Sequence, residues 1–385
     1  MSQPQQKRAR LFEQPFILGS FRSWLKLLWE NKSVDRKYLP RAIFVTFVTL
    51  GTLPLRVYES VRYGGAVRKT AIQHPPIFII GHWRSGTTHL HNLLVHDKNL
   101  GCVSMWQAFA PGVCLIDERV LKNPFNKIAK KMHPTREIDN IPLSMDNPEE
   151  EDLAIANMSP YSYLHMYSFP KRASYYFERY ITNFDALPKS IRTEWGKYYL
   201  TMMRKATLKA GGRRLVIKNC ADSARLKALL ELFPDAKFIH IYRNPYNIFR
   251  STQHLYGTVL VRAQVQEIDT KELETWVLRF YTQLMQRFLA DKSLIPKGNL
   301  VEIKYEDLDK EPLEQLRKIY KTLSLPGFAE AEPAFRAYLD SISDYQKLAH
   351  KQLDDSAITK INRNWQFAFD ALGYKLIEPA ASKVT

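Results

Sequence analysis

Cysteine is scarce in this chain: Cys102, Cys114 and Cys220 are the three among 385 residues. The count is odd, and none stands in a C-x-x-C pair or at a Cys/His ligand spacing. That argues against a structural zinc site and fits a reducing compartment. A secretory signal is missing as well, because the first ten residues are polar and basic. Long apolar runs are lacking too. The strongest, at 42–55, has 14 residues between Arg41 and Arg56 and contains Gly51 and Pro54. A spanning helix needs about 20 apolar residues, so this run is not a convincing span. Acidic residues are in deficit: 39 against 56 basic ones leave a net charge of +17. Such an excess implies an anionic partner. Nucleic acid, an anionic membrane surface and a highly charged cofactor all fit it, and composition does not choose among them.

With 45% apolar residues the chain can build one large core, or one α/β domain with additions. Residues 1–75 read as a disordered tail (1–10) and a basic, aromatic-rich helical extension, where Phe21, Trp24, Leu25, Leu27, Leu28 and Trp29 crowd together. Two readings stand for that extension. It is a helical layer packed on the main domain, or a peripheral membrane contact through residues 11–60, with lysines and arginines flanking Trp, Phe and Leu. From residue 76 strand and helix alternate. Strand patterns at 77–80, 214–217, 237–242 and 300–304 precede helix patterns at 87–96, 222–233, 244–255 and 311–323. Short apolar strands separated by helices predict an α/β fold, a P-loop-like central parallel sheet flanked by helices. The domain spans 76–375, with a helical insertion at 100–210 and a short tail at 376–385. Ligands in such folds bind beyond the carboxyl ends of the strands, where the loops at Gly81, Lys218, Arg243 and Tyr305 fall.

The loop between the first strand and its helix is the most informative stretch. Gly81 and Gly86 sit five apart, as in a phosphate-cradling loop, and Thr88 holds the usual Ser/Thr place. The usual lysine is missing, replaced by Thr87, and the cation comes earlier, at Arg84. A loop built for a nucleoside triphosphate keeps that lysine and uses the hydroxyl for Mg²⁺. This one predicts a phosphate-like anion that is neither ATP nor GTP, held by backbone N–H groups at a helix N-terminus. A second element, 240–251, ends a strand at Arg243 and places Ser251 about two helical turns on. A guanidinium and a hydroxyl suit a monoester phosphate.

These two elements, in this order, resemble the sulfotransferase superfamily, in its bacterial-type branch with a Gly-His-Trp-Arg-Ser-Gly-Thr-Thr loop (81–88). The stretches at 214–218 and 232–245, the Lys304-Tyr305-Glu306-Asp307-Leu308 turn and Trp365 with Gly373-Tyr374 are similar to that family too, so the likeness covers about 70–375. It implies 3′-phosphoadenosine 5′-phosphosulfate (PAPS) as sulfuryl donor and no need for a metal. Gly81, Arg84, Ser85, Gly86, Thr87 and Thr88 would bind the phosphosulfate, Arg243 and Ser251 the 3′-phosphate, and Tyr305 would lie near the adenine. A donor with about four negative charges would be steered by the basic excess. The reaction implied is an in-line displacement by an acceptor hydroxyl, with Arg84 stabilising the leaving group and a base taking the proton. Lys218 is retained at the cleft, though Lys218-Asn219-Cys220 replaces the family's common Lys-x-Pro. The family's C-terminal Arg-Lys-Gly clamp has no match, and Lys360 and Arg363 would be the substitutes for it.

For the base, the resemblance places Glu150 on the first glutamate of the branch's acidic run. Read as residues, the four carboxylates at 149–152 either complement a helix N-terminus or raise one another's pKa until one acts as a base. Histidines are the alternative, with His133 and His165 ahead of His89, His91 and His254. Trp106, Phe109, Tyr161, Tyr163, Tyr167 and Phe169 in the insertion, and a loop at 256–272, hint at a lipophilic acceptor such as a sterol, lipid alcohol or glycolipid. A soluble carbohydrate is the alternative acceptor. A P-loop kinase lacks its Lys at 87, and a non-catalytic nucleic-acid or membrane binder would not need both loops. No nucleic-acid partner is expected. The whole suits a cytoplasmic enzyme with a membrane-leaning N-terminus.

Overall fold

The structure is a computed structural model and describes residues 14–135, 141–269, 271–343 and 352–379. The disordered tail expected at 1–10 and the last residues of the C-terminal tail lie outside them. Three helices come first: α1 (Phe21–Asn31), α2 (Leu39–Gly51) and α3 (Leu53–Lys69). The alternating part follows with β1 (Ile77–Ile80), α4 (Thr87–Leu94), β2 (Leu100–Gly101), α5 (Met105–Phe109), α6 (Lys122–Met132), α7 (Glu151–Met158), α8 (His165–Ser168), α9 (Ala173–Phe177), α10 (Lys189–Lys209) and β3 (Arg214–Lys218). It closes with α11 (Leu226–Leu232), β4 (Lys237–Tyr242), α12 (Pro245–Ala263), α13 (Glu272–Asp291), β5 (Leu300–Lys304), α14 (Tyr305–Lys310), α15 (Pro312–Thr322), α16 (Phe328–Ser341) and α17 (Asp355–Leu372).

The five strands pair in parallel in the order β2-β3-β1-β4-β5. Alternation along β1 explains the layers. Ile77 and Ile79 face a core shared with Leu90 and Leu94 of α4, Leu316 of α15 and Phe335 of α16. Phe78 and Ile80 face the opposite core, with Tyr199 of α10, Leu229 of α11 and Phe280 of α13. All four β1 residues are buried, so the strand reads as a continuous apolar run. Register aligns Ile79 with Lys218 and Ile80 with His240. The chain therefore leaves β1, β3 and β4 along one edge of the sheet, at Gly81, Asn219 and Arg243.

The four strands expected from sequence are present. The fifth, β2, lies in the 100–210 insertion and is too short to carry a period. Two helices differ from expectation. The one expected at 222–233 is a 3-10 turn, Cys220–Ala224, followed by α11. The one expected at 244–255 continues to Ala263, so part of the expected loop at 256–272 is helix.

The N-terminal helices lie on the core side of the insertion. Trp24, Leu27, Ala42 and Val45 share the core of Phe78 and Ile80, and the Trp24 indole donates to Thr46 Oγ1 at 2.9 Å. Residues 36–69 form one helical stretch of 34 residues, long and apolar enough by length and composition to cross a membrane. The uncharged run stops at 14 residues because Arg41 and Arg56 bound it. Both turn inward: Arg41 donates to the carbonyls of Val261 and Gln264 at 3.1 and 2.8 Å, and Arg56 to that of Leu18. Glu59 pairs with Lys205 of α10 at 2.5 Å, and its other oxygen accepts the Leu115 N–H at 2.6 Å. The Glu59 and Lys205 side chains are 3% and 11% exposed, so losing one strands the other's charge. We expect Glu59→Ala to destabilise the protein by about 3 kcal/mol or more. A urea unfolding midpoint would report it, and adding Lys205→Met should restore part of the loss.

Candidate active site

The turn after β1 is set by backbone constraints. Gly81 has φ +144°, and a Cβ there would stand 2.2 Å from the Ile241 carbonyl oxygen. Its N–H donates to Ser223 Oγ at 2.8 Å, and the same hydroxyl donates back to the Gly81 carbonyl at 3.2 Å. Gly86, at φ +98°, precedes α4, and a Cβ there would fall 2.2 Å from the Tyr305 ring. The first N–H groups of α4 have no intrahelical acceptor and emerge at this turn. Ser85 Oγ is buried among them without a protein partner.

Arg84 is the pivot. Its φ of +70° is unusual for a non-glycine residue, a strain of about 1–3 kcal/mol that its surroundings must hold. They hold it from two sides: Arg84 Nε donates to Ser251 Oγ at 2.7 Å, and the Arg84 carbonyl accepts from Arg243 Nη1 at 3.3 Å. Arg243 lies over the Tyr305 ring, 4.2 Å from its centroid, and its buried Nε has no protein partner. Glu306 secures the neighbouring turn, accepting from the Asn244 N–H at 3.1 Å and the Tyr374 hydroxyl at 2.6 Å. Arg243, Ser251 and Tyr305, separated in sequence, thus meet around one arginine of the first loop.

On the other side of Arg84 lies a cavity of about 240 Å³. Arg84, Thr87, Thr88, Glu149, Glu150 and Lys218 form one polar side of it, and Thr258 and Arg262 add polar groups elsewhere in the lining. Phe16, Phe109, Leu153, Leu164, Leu255 and Val259 are among its apolar walls. Glu150 stands at the N-cap position of α7, where its side chain makes no capping bond, and accepts from Lys218 Nζ at 2.8 Å, the side chains being 14% and 4% exposed. The Tyr163 hydroxyl donates to the other Glu150 oxygen at 3.4 Å. Burial alone would lower the Lys218 pKa, but the facing Glu150 and Glu149 carboxylates outweigh it and hold it above the ordinary lysine value. Burial, with the Glu150 charge added, pushes the Tyr163 hydroxyl well up, so it remains a donor.

Behind this pair is a sealed carboxylate cluster. Glu151 accepts from Asn219 Nδ2 at 2.7 Å, and Asp152 from Arg225 Nη2 at 2.6 Å and Ser162 at 2.7 Å. Arg225 Nε also donates to Asp222 at 3.0 Å. The Tyr199 hydroxyl stands 3.1 Å from Glu151 Oε1 and 3.3 Å from Asp222 Oδ2. It has one hydrogen to give, so it serves one carboxyl as donor, and the second close contact favours a proton on the pair. Burial, then the charges of Asp222 and Asp152, push Glu151 well above the usual carboxylate range. Burial, with Asp152 added and Arg225 opposing, pushes Asp222 up to about 6.

Several sequence expectations meet here. Gly81, Arg84, Ser85, Gly86, Thr87, Thr88, Arg243, Ser251 and Tyr305 are gathered at one edge of the sheet, and Glu150 is bonded to Lys218 in the cavity lining. The crowding expected to raise a carboxyl acts on buried Glu151, which does not line the cavity. Among the described residues no histidine lines it. His165 Nε2 donates to the Ser159 carbonyl, 3.0 Å away, and burial lowers the ring's pKa to about 4. His91 is lowered to about 3 by burial and Lys218. Of the six insertion aromatics, Phe109, Tyr163 and Tyr167 line the cavity, while Trp106, Tyr161 and Phe169 pack elsewhere. Lys360 pairs with Glu274 at 2.6 Å, and both line a second pocket with Gln253, two residues beyond Ser251. Sequence reading missed Phe16, Trp83, Tyr199, Asn219, Ser223 and Arg225. The only available signal was Trp83's place inside the loop.

A family model described as the Sulfotransferase family matches residues 75–330. Two curated relatives, the omega-hydroxy-beta-dihydromenaquinone-9 sulfotransferases Stf3 of Mycobacterium bovis and Mycobacterium tuberculosis, are each 30% identical over 380 residues, covering 98% of this chain and 96% of theirs. Among solved structures, sulfotransferase STF9 from Mycobacterium avium superposes with a TM-score of 0.67 at 17% identity, over 94% of this chain and 98% of that one. Sulfotransferase STF1 from Mycobacterium tuberculosis gives 0.64 at 19% identity, over 89% and 91%. These two likenesses show the fold.

The raised carboxyls give a pH signature. The folded protein holds a proton that the unfolded chain releases from about pH 4. Stability contributed by this cluster therefore falls as pH rises from about 4 through the Asp222 value of about 6. Glu151→Gln keeps the shape without the titration, so its urea midpoint should decline less across that window than the wild type's.

Proposed function

The chain belongs to the sulfotransferase family, and from that premise we propose that it moves the sulfuryl group of PAPS onto the hydroxyl of a lipophilic alcohol. The observation carrying this reading is a single cavity in which the anion loop, through Arg84, Thr87 and Thr88, meets the Glu150–Lys218 pair against apolar walls. The residues present fit the donor. Ser85 Oγ and Arg243 Nε are buried polar atoms without protein partners, and the close approach of Gly86 to Tyr305 leaves the turn free of side-chain bulk. Gly81, Arg84, Ser85, Gly86, Thr87 and Thr88 would hold the phosphosulfate, Arg243 and Ser251 the 3′-phosphate, and Tyr305 the adenine side. Bound there, PAPS supplies an activated sulfuryl group on a bisphosphate leaving group.

Glu150 is the base in this reading. Its carboxylate takes the proton from the acceptor hydroxyl, and Lys218 and Tyr163 keep it aimed into the cavity. Arg84 brings a fixed cation to the leaving side, where charge develops. Lys218, bonded to Glu150, positions the base and adds positive charge. Phe16, Phe109, Leu153, Leu164 and Val259 exclude water and give an apolar acceptor body a place to pack. The relatives' named acceptor, an omega-hydroxy menaquinone, is such a molecule. Glu149, Thr258 and Arg262 give the lining some polar partners, but apolar side chains outnumber them, which favours a lipophilic body over a carbohydrate. A lipid alcohol resides in a bilayer, so peripheral membrane contact through the N-terminal helices is part of the reading. The free thiols of Cys102, Cys114 and Cys220 suit the cytoplasmic side.

Calorimetry with adenosine 3′,5′-bisphosphate, against ADP as control, tests the donor. The wild type should prefer the 3′-phosphate without Mg²⁺, and Arg243→Ala should weaken binding about ten- to a hundredfold. Equal affinity for ADP would sink the assignment. Glu150→Gln should keep bisphosphate affinity while lowering kcat about 10²–10⁴-fold with a long-chain alcohol acceptor. Unchanged turnover would remove Glu150 from the base role.

A further inference from the structure

The stretch at 36–69 has two opposite faces. Arg41, Val45, Thr49, Glu59 and Val67 are buried against the domain. On the other side Ile43, Phe47, Leu50, Val57 and Val61 follow helical spacing and are exposed, Phe47 by 68% and Val61 by 81%. Neighbouring α1, joined to α2 by the Trp24–Thr46 bond, adds Leu25 and Trp29, the latter 77% exposed. A soluble surface helix shows the reverse pattern, with its apolar stripe turned inward. Here polar groups anchor the inner face and large apolar side chains cover the outer one, which marks an interaction surface.

Charge identifies the partner. Every exposed charged side chain between residues 20 and 70 is a lysine or arginine. The acidic residues there are engaged: Glu59 with Lys205, Asp35 with Lys171, Glu30 with Lys26. An apolar stripe with a predominantly basic rim, in which, among the described residues, Lys37 alone is paired to an exposed acid, Glu267, fits a bilayer containing anionic lipid. The inner face decides orientation. A helix anchored by Arg41 at one end and Glu59 further on cannot leave the domain to cross a membrane without breaking those bonds. We propose that the outer face of α1–α3 docks on an anionic bilayer, with α2 and α3 lying in the interface plane rather than spanning it.

The docked face adjoins the cavity through shared elements. Arg41 grips the Val261 and Gln264 carbonyls, in the turn of α12 that gives Val259 and Arg262 to the cavity wall. Phe16, another wall residue, stands shortly before α1. On the lipid-acceptor reading, and resting on it, the acceptor passes from the bilayer into the cavity along this side. Docking itself needs neither donor nor acceptor.

The test is flotation of the full chain with vesicles of phosphatidylcholine, alone or with phosphatidylglycerol. The expected result is binding to the anionic vesicles, weakened by salt, and reduced at least tenfold in the Phe47→Asp/Val61→Asp variant. That variant should keep wild-type affinity for adenosine 3′,5′-bisphosphate, which also reports that it is folded. If it does not fold, quenching of Trp29 by brominated lipid decides instead: quenching lost in Trp29→Phe supports docking, and none in the wild type overturns it. Equal binding by wild type and variant would overturn the proposal. So would resistance to alkaline carbonate extraction, which would mean a span, or a stable dimer dissolved by Phe47→Asp, which would assign the face to a second copy. Because flotation uses no donor, its failure is distinct from failure of the sulfotransfer reading.

Discussion

Three consecutive acidic residues fasten the insertion to the end of the central sheet. Glu150 meets Lys218, Glu151 meets Asn219 and Asp152 meets Arg225, at 2.8, 2.7 and 2.6 Å. The first contact opens onto the cavity and the other two are sealed. This arrangement sets both the position and the chemistry of the site. The sheet provides the 81–88 loop, the insertion provides the carboxylate and about half of the apolar wall, and this seam, with β2 paired to β3 and Tyr163 packed on Trp83, puts them side by side. Breaking a buried charge pair costs about 3–5 kcal/mol because the surviving partner stays desolvated. The seam is therefore under strong constraint even where it touches no substrate.

How much of this was legible in sequence depends on the range of the signal. The loop at 81–88 and the Arg243–Ser251 element could be read because glycine, cation and hydroxyl sit at fixed local offsets. The β1, β4 and β5 strands could be read as short apolar runs. Glu150 was reachable through its neighbours in the acidic run. The raised pKa of Glu151 was not, since it depends on burial and on Asp222, which is distant in sequence and brought close by the turn after β3. The cavity wall was half legible. Phe109, Tyr163 and Tyr167 belonged to a visible aromatic cluster, but Trp106, Tyr161 and Phe169 in the same cluster are core. Composition cannot separate the two, because the same side chains serve both ends. Phe16 had no signal at all.

The N-terminal helices teach the same lesson in another form. Counting uncharged residues treated Arg41 and Arg56 as boundaries of an apolar run. In the fold they are internal anchors, each bonded through its guanidinium to backbone carbonyls, and the helix runs past both. A charge on a helix marks its exposed side only when nothing inside can pair with it. Here the pairing inverts the usual pattern and leaves the apolar stripe outside.

The contact between Gly86 and Tyr305 has a consequence for how this sequence can vary. The ring occupies the space a Cβ at position 86 would need, and the same ring is the shelf under the Arg243 guanidinium. Any larger residue at 86 must displace the ring, which withdraws the shelf and frees an arginine that also bonds the Arg84 carbonyl. Positions 84, 86, 243 and 305 are thus one inherited unit spread over most of the chain. Substitutions among them would be accepted together or refused singly, and divergence of this protein should proceed around that unit rather than through it.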